Sequence, residues 1–427
     1  MSISPHSPKN LQEHGPKPSK ARLDGMKRKL LIVTGDLDVG GTARHLTRVL
    51  PHLNRDIFQI TVCTLTHKGV LAPMLEQAGI FVVEPWGGTR IRRLLPKGLR
   101  LVVLLPLTVF RLMTLLRRFR PDVVHFFLPM AYLIGGACAI LTQTRCRVMS
   151  RRSLAAYQKS HPFLARVEKW LHARMCAVLG NSKAVLEELR REGVQEEKLG
   201  LIYNGIENAG PASGAEKASR RELLPAHNVD DETLVFILVA NLIYYKGHAN
   251  LLRAFRQIRA SLPKKWVLLC VGRDDGIGAE LMKTARENRI FSNVRWLGPR
   301  SDTALLLASA DIGLLCSDEE GFSNAILEGM AASLPMVVTD VGGNTEAVED
   351  GETGFVVPPQ DPVRLGEAIL KLVKDPELCR RMGNAGRERI AKKFSAAACV
   401  QSYERLYAGL IAGEKKPIGD LLQREEN

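Results

Sequence analysis

The feature that most constrains this chain is a rhythm: short apolar, β-rich runs alternate with helical stretches from Lys29 almost to the C-terminus. Apolar runs of this kind are the strands of parallel sheets, which need crossover helices between them. The first half supplies such runs at 29–34 (KLLIVT), 58–65 (FQITVCTL), 80–85 (IFVVEP), 122–127 (DVVHFF), 146–151 (CRVMSR) and 176–182 (CAVLGNS), with helices such as 42–53 and 163–174 between them. Over 209–231 Gly, Pro, Ala and charged residues replace the apolar periodicity, which marks a linker. The rhythm then resumes at 233–242, 266–272, 294–298, 312–317, 335–340 and 354–359. The reading is α/β with two Rossmann-like domains facing each other across a cleft: 29–208, and 232–395. The helix 396–410 is assigned back to the first domain. Residues 1–28, polar and without an apolar core, read as a disordered leader rather than a signal peptide, and 411–427 as a tail. A chain of 427 residues fits two cores better than one.

Charge divides as unevenly as the rhythm divides evenly. Residues 1–208 hold 32 Lys/Arg against 15 Asp/Glu, whereas 209–427 hold 28 against 30. The excess of +17 in the first half faces an anionic partner or is simply a solvated basic surface. Nucleic acid is set aside, because neither half carries an RNA- or DNA-binding motif. The eight cysteines are dispersed, with no CxxC pair and no zinc-like spacing, so a reducing, cytoplasmic setting and no structural metal are expected.

Residues 101–116 (LVVLLPLTVFRLMTLL) form the one long apolar stretch. Its 16 residues include Pro106 and Arg111 and fall short of the ~20 that cross a bilayer. Residues 90–120 contain nine Lys/Arg and no acid, which fits a helix docking on an anionic membrane or a core helix with a basic rim.

The stretch EEGFSNAILEGM (319–330) sets Glu320 and Glu328 either side of a Gly-Phe-Ser turn that opens a helix at Ser323 or Asn324. Free amides at a helix N-terminus, here those of Gly321, Phe322 and Ser323, suit a diphosphate. Glu328 lies more than a helical turn further on, so the two carboxylates reach opposite ends of an elongated ligand: a sugar beyond the phosphates and a ribose on the other side. Lys246, in a strand-to-helix loop (KGH), has the charge to neutralise a departing diphosphate. Gly40 and Gly41 start a helix where backbone can approach a ligand closely, although their spacing from Gly35 is not that of a dinucleotide fingerprint. His125 ends a strand and either lines the cleft or is a satisfied structural histidine.

The stretch EGFSNAILE resembles the E-x7-E motif of the family 4 retaining glycosyltransferases of GT-B fold, the glycosyl transferases group 1. The resemblance extends to 239–255, to the segment 335–359 after the motif, to the lobe connection LIYNGIE (201–207) and, more weakly, to 35–53. It implies that Glu320 holds donor-sugar hydroxyls, Glu328 the ribose, and Gly321 to Ser323 together with Lys246 the diphosphate. Relatives commonly place an arginine where this chain has Asn241, so another base (Arg151, Arg152 or Arg273) is expected to serve the phosphates. Many relatives carry a histidine near the sugar where this chain reads VMSRRS; Arg151 or Arg152 there is expected to touch acceptor or phosphate.

The expected activity is retaining transfer from a nucleotide-diphosphate sugar to a glycan or lipid-linked acceptor in surface polysaccharide or glycolipid synthesis. It would need no metal and no cofactor, and would work at the cytoplasmic face of an anionic membrane. An epimerase of the same architecture and a non-catalytic glycosyltransferase-like subunit are the alternatives.

Overall fold

The computed structural model of the protein describes residues 26–84, 97–154, 158, 161–207, 229, 230 and 232–414, with backbone alone for 97–103. Most of the expected leader and linker, the tail beyond 414, and 85–96 lie outside the described residues.

The first sheet contains β1 (Arg28–Thr34), β2 (Phe58–Thr64), β3 (Phe81–Val83), β4 (Val123–Phe127), β5 (Cys146–Arg151), β6 (Ala177–Gly180) and β7 (Leu199–Leu201), in the order β3-β2-β1-β4-β5-β6-β7. The second contains β8 (Leu234–Val239), β9 (Trp266–Val271), β10 (Val294–Gly298), β11 (Ile312–Leu315), β12 (Met336–Thr339) and β13 (Gly354–Val357), ordered β10-β9-β8-β11-β12-β13. Every pairing is parallel. The central strands are apolar because both faces are covered: all of β4, β9 and β11 is buried. Strand order reverses between β1 and β4 in one sheet and between β8 and β11 in the other. Loops leaving these strands splay apart there and open a crevice at the carboxyl ends, where ligands bind in open α/β sheets.

Short N-terminal caps set the helices in phase. Ser182 accepts from Val185 N, Asp361 from Val363 N and Arg364 N, and Ser395 from Ala398 N, each supplying an acceptor that the first turn lacks. The helix Ala396–Ala412 runs two residues beyond its expected end, to Gly413 in the left-handed region (φ 76°). It does pack onto the first lobe: Tyr403, Leu406, Tyr407 and Leu410 join Leu30, Ile32 and Phe58 in one core. The chain therefore crosses between lobes twice, side by side, with Ile206 N donating to Phe394 O and Ala396 N to Ile206 O (both 2.9 Å).

The helix Lys97–Phe119 buries Thr108, Leu112 and Leu116, four residues apart on one face, in the first lobe. Phe110 (68% exposed) and Leu105 (37%) face outward. Among the described residues no helix is long and apolar enough to cross a membrane.

Candidate active site

At the second lobe's crevice two loops meet. Gly247, at φ 72°, closes the loop after β8, and a side chain there would put its Cβ 1.8 Å from Cys316 O in the loop after β11. Tyr245 O accepts from Asp318 N at 2.7 Å, stitching the loops together. This brings Lys246 Nζ to 2.5 Å from Glu320 Oε1, with both side chains largely buried (18% and 10% exposed). Ser317 Oγ donates to the same carboxylate oxygen at 2.7 Å. The helix Asn324–Ala331 begins directly after this pair, with Ser323 at its N-cap. Gly342 (φ 54°) backs the loop so closely that a Cβ would meet Glu320 O at 1.7 Å, and Gly343 N donates to Gly321 O. A charged pair, a helix N-terminus and a glycine-packed floor thus converge where the strand order reverses. The geometry can hold a diphosphate against a cation and aim a carboxylate at the group beyond it.

The other expected donor residues fall near this centre with different partners. Asn241 Oδ1 accepts from Arg273 N at 3.1 Å, so the asparagine fixes the neighbouring loop that carries Arg273. The Arg273 guanidinium lies over Asp275 and is half-exposed. Phe322 does not offer its ring to a ligand. It is buried against Tyr203 and Phe394, with centroids 5.0 and 5.3 Å away, where the chain passes between lobes. Gly321 packs on the first lobe's backbone: a Cβ there would lie 2.5 Å from Arg152 O. Glu328 reaches across the cleft to the helix Gly41–Val49, with Arg48 Nη2 3.1 Å from Oε1 and Arg44 Nη1 3.7 Å from Oε2.

In the first lobe the structure corrects the expectation for Arg151 and decides between the two readings of His125. Arg151 touches no cleft: its guanidinium is buried between Glu168 (2.6 Å) and Glu192, and His172 Nε2 meets Glu192 at 3.1 Å. Although burial opposes it, hydrogen bonds from His172 and Arg151 hold Glu192 down at about 2. His125 is the structural histidine of the two readings, fully buried with Nδ1 on Tyr407 Oη and Nε2 on Ser150 Oγ (both 2.8 Å). Burial, then the Arg152 charge, keeps it well below the ordinary histidine range.

Arg152, by contrast, does lie at the lobe junction. Its Nη2 donates to Asn204 Oδ1 (2.6 Å), Asn204 Nδ2 to Asn324 Oδ1 (2.7 Å) and Phe322 O (3.0 Å), and Asn324 Nδ2 to Gly41 O (3.2 Å). This relay ties the helix start at Gly40 and Gly41 to the donor-side helix start. Gly40 itself is extended (φ −165°), a conformation open to any residue. Sequence reasoning missed Asn204, Asn324, Arg44, Arg48 and Glu346. Glu346 accepts from Lys183 N, Ala184 N and Tyr203 Oη, capping a first-lobe helix from the second lobe. The available signal was the four-residue spacing of Arg44 and Arg48, which puts both on one helix face.

Comparison with known proteins bears on the whole arrangement. Residues 219–389 match the family model described as Glycosyl transferases group 1, and residues 39–209 match Glycosyltransferase Family 4. The chain belongs to the family 4 glycosyltransferases. Among its relatives, EpsD of Bacillus subtilis, a glycosyltransferase by name, is 28% identical over 309 residues, which cover 69% of this chain and 78% of EpsD. CapM of Staphylococcus aureus, a capsular polysaccharide biosynthesis glycosyltransferase, is 25% identical over 70% of this chain and 80% of its own. HepE of Anabaena, solved with UDP and glucose, superposes with a TM-score of 0.75 at 22% identity, covering 90% of this chain and all of that one. The family 4 chain is thus a glycosyltransferase of GT-B architecture, its two open parallel sheets matching that fold.

Proposed function

We propose that this family 4 glycosyltransferase transfers a sugar, with retention at the anomeric carbon, from a nucleoside diphosphate to a hydroxyl of a glycan or lipid-linked acceptor. The observation that carries the reading is the Lys246–Glu320 pair beside the N-terminus of the helix Asn324–Ala331. HepE, with UDP and UDP-glucose bound in solved structures, supports a nucleotide-sugar donor. The role of CapM in capsular polysaccharide biosynthesis supports surface polysaccharide synthesis.

In this reading the bond from the anomeric carbon to the diphosphate oxygen breaks while the acceptor oxygen bonds that carbon from the same face. The acceptor's proton passes to the departing diphosphate, so no separate base is required. Negative charge grows on the leaving oxygens, and Lys246 Nζ with the amides around Ser323 meets it without a metal ion. Glu320, fixed by Lys246 and Ser317, takes hydrogen bonds from the sugar hydroxyls. Arg273, held beside the site through Asn241, is the second cation where relatives use arginine. Glu328 takes the ribose hydroxyls.

The acceptor side is the basic first lobe. Phe110 and Leu105 stand outward on a helix that also carries Arg111, Arg117 and Arg118, a composition suited to an anionic membrane surface on the cytoplasmic side.

The test is transfer of labelled sugar from a panel of nucleotide sugars to lipid-linked glycans, with the product's anomeric configuration read by NMR. The proposal expects the donor's configuration in the product; the opposite anomer would overturn retention. Sugar isomerised without acceptor would make the protein an epimerase instead. Flotation with anionic vesicles at low salt should carry the protein upward, and its absence would remove the membrane surface from the account.

A further inference from the structure

We propose that the outer stripe of the helix Pro129–Leu141 inserts into the hydrocarbon edge of an anionic bilayer, and that the acceptor reaches the cleft along it as a membrane lipid. The inference rests on the reading of a glycan or lipid-linked acceptor and narrows it to the lipid. Three helices lie side by side on one face of the first sheet, with Leu112 and Leu116, Tyr132 and Cys138, and Leu171 in a common core. Pro129–Leu141 is the middle one: Cys138 Sγ reaches Val109 O (4.0 Å) on Lys97–Phe119, and Tyr132 Oη lies 2.9 Å from His172 Nδ1 on Pro162–His172. Its outward positions Met130, Leu133, Ala137 and Leu141 follow at three- and four-residue steps and are all apolar, with Met130 exposed and Leu141 65% exposed. A helix facing only water carries polar side chains on that stripe. A contiguous apolar one marks an interaction face.

Charge names the occupant. Residues 97–120 hold six Lys/Arg, 128–147 two and 161–175 three, against one acid, Glu168, which is buried on Arg151. A second copy of the chain would bring the same cations face to face, whereas anionic headgroups neutralise them. On the exposed face of Pro162–His172, Phe163 (72% exposed), Arg166 and Trp170 line up, and the Arg174 guanidinium sits 4.0 Å over the Trp170 ring. Aromatic rings among basic side chains suit the level where hydrocarbon meets headgroup. The stripe is also joined to the cleft, because Pro129 follows β4 at its carboxyl end, where the strand order reverses. Leu128, at φ 74° and ψ 149°, keeps a conformation otherwise left to glycine and stands partly exposed there; a Cβ on Gly35, after β1, would lie 4.0 Å from its Cδ1. An apolar track therefore runs from the first lobe's crevice to Leu141. A lipid lying along it has its headgroup at the cleft.

The experiment measures partition of the full chain onto phosphatidylglycerol–phosphatidylcholine vesicles at about 0.1 M and about 1 M salt, where the screening length falls from ~10 to ~3 Å. Insertion predicts that wild-type binding survives the higher salt. Leu141→Glu and Phe163→Glu should each weaken it about 10-fold or more, with thermal midpoint and donor hydrolysis unchanged. Lipids brominated on their chains should quench the wild-type tryptophan emission, and Trp170→Phe should lose most of that quenching. Binding that vanishes at 1 M salt without quenching would mean docking through the basic helix Lys97–Phe119 alone; it overturns the insertion and leaves the proposed activity standing. Self-association abolished by Leu141→Glu, with vesicle binding unaffected, would assign the stripe to a second copy and also overturn the inference. A wild type that neither binds nor hydrolyses any nucleotide sugar is a different failure: it removes the transfer reading and the acceptor role of the stripe with it, whatever the vesicles show.

Discussion

The two lobes share a strand order and differ in what they put at the reversal. In the second lobe the crevice between β8 and β11 holds an ion pair, a helix start and tightly packed glycines, all aimed at one point. In the first lobe the corresponding positions are turned inward: His125 is spent on Tyr407 and Ser150, and Arg151 on Glu168 and Glu192. In the proposed reading the same scaffold serves as a chemical site in one lobe and chiefly as a stable, basic platform in the other. Position at a switch point makes a residue a candidate; only its partners tell whether it is committed to folding or left for a ligand.

Substitutions can break this contrast, and the largest effect belongs to the second lobe. Lys246→Ala should lower the transfer rate by about 10²- to 10³-fold, with a stability loss smaller than that of a core substitution because Ser317 still donates to Glu320. His125→Ala should do the reverse, because it cuts two buried hydrogen bonds, one to Tyr407 on the C-terminal helix and one to Ser150 on β5, and leaves a cavity: a loss of about 2–4 kcal/mol in urea unfolding, with donor affinity preserved. A large rate loss for His125→Ala without destabilisation would erase the distinction between the lobes.

Gly247→Ala tests the second lobe's loop. The left-handed backbone and the 1.8 Å approach of Cys316 O leave no room for a methyl group, so about 1–3 kcal/mol should be lost and donor binding should fall with it. Unchanged donor binding would show that the loop contact does not position Lys246.

Much of the candidate donor site was legible because its residues are local in sequence. Glu320, Ser323 and Glu328 fall within nine residues of sequence, and the glycine turn between them reports its own geometry. Strands were legible for a related reason, since a strand buried on both faces must be apolar throughout; β7 (Leu-Gly-Leu), with a glycine at its centre and no β-branched residue, did not stand out. The first lobe's site was obscure because its arginines are decided by distant partners. Arg151 finds Glu192 41 residues away, and Arg48 finds Glu328 280 residues away. The spacing of Arg44 and Arg48 puts them on one helix face, but the sequence around neither Arg48 nor Arg151 names its distant partner, and one is buried in a salt-bridge network while the other faces the second lobe.

Acidity should expose the lobes more gently. Burial depresses His45 and His125 in the first lobe well below the usual range, and brings His248 in the second down to about 4. The unfolded chain binds these protons near its ordinary pKa of about 6.5, before the folded one does. Stability is therefore full above about pH 6.5 and drains as pH falls through the window below it. With two such histidines, the first lobe should lose hydrogen-exchange protection before the second on stepping from pH 7.5 to 5.5. Equal loss in both lobes would contradict this asymmetry. The smallest effect is expected for Glu346→Gln, about 1 kcal/mol, from weakening the carboxylate that caps the helix starting at Lys183.

The central claim is that the Lys246–Glu320 pair is the donor site, and a thermal-shift and hydrolysis screen against UDP-, GDP- and ADP-sugars tests it most directly. The account predicts that one nucleotide sugar stabilises the wild type and that Lys246→Ala and Glu320→Ala each lose most of that stabilisation. Stabilisation that persists undiminished in both variants would place the donor elsewhere and contradict the account.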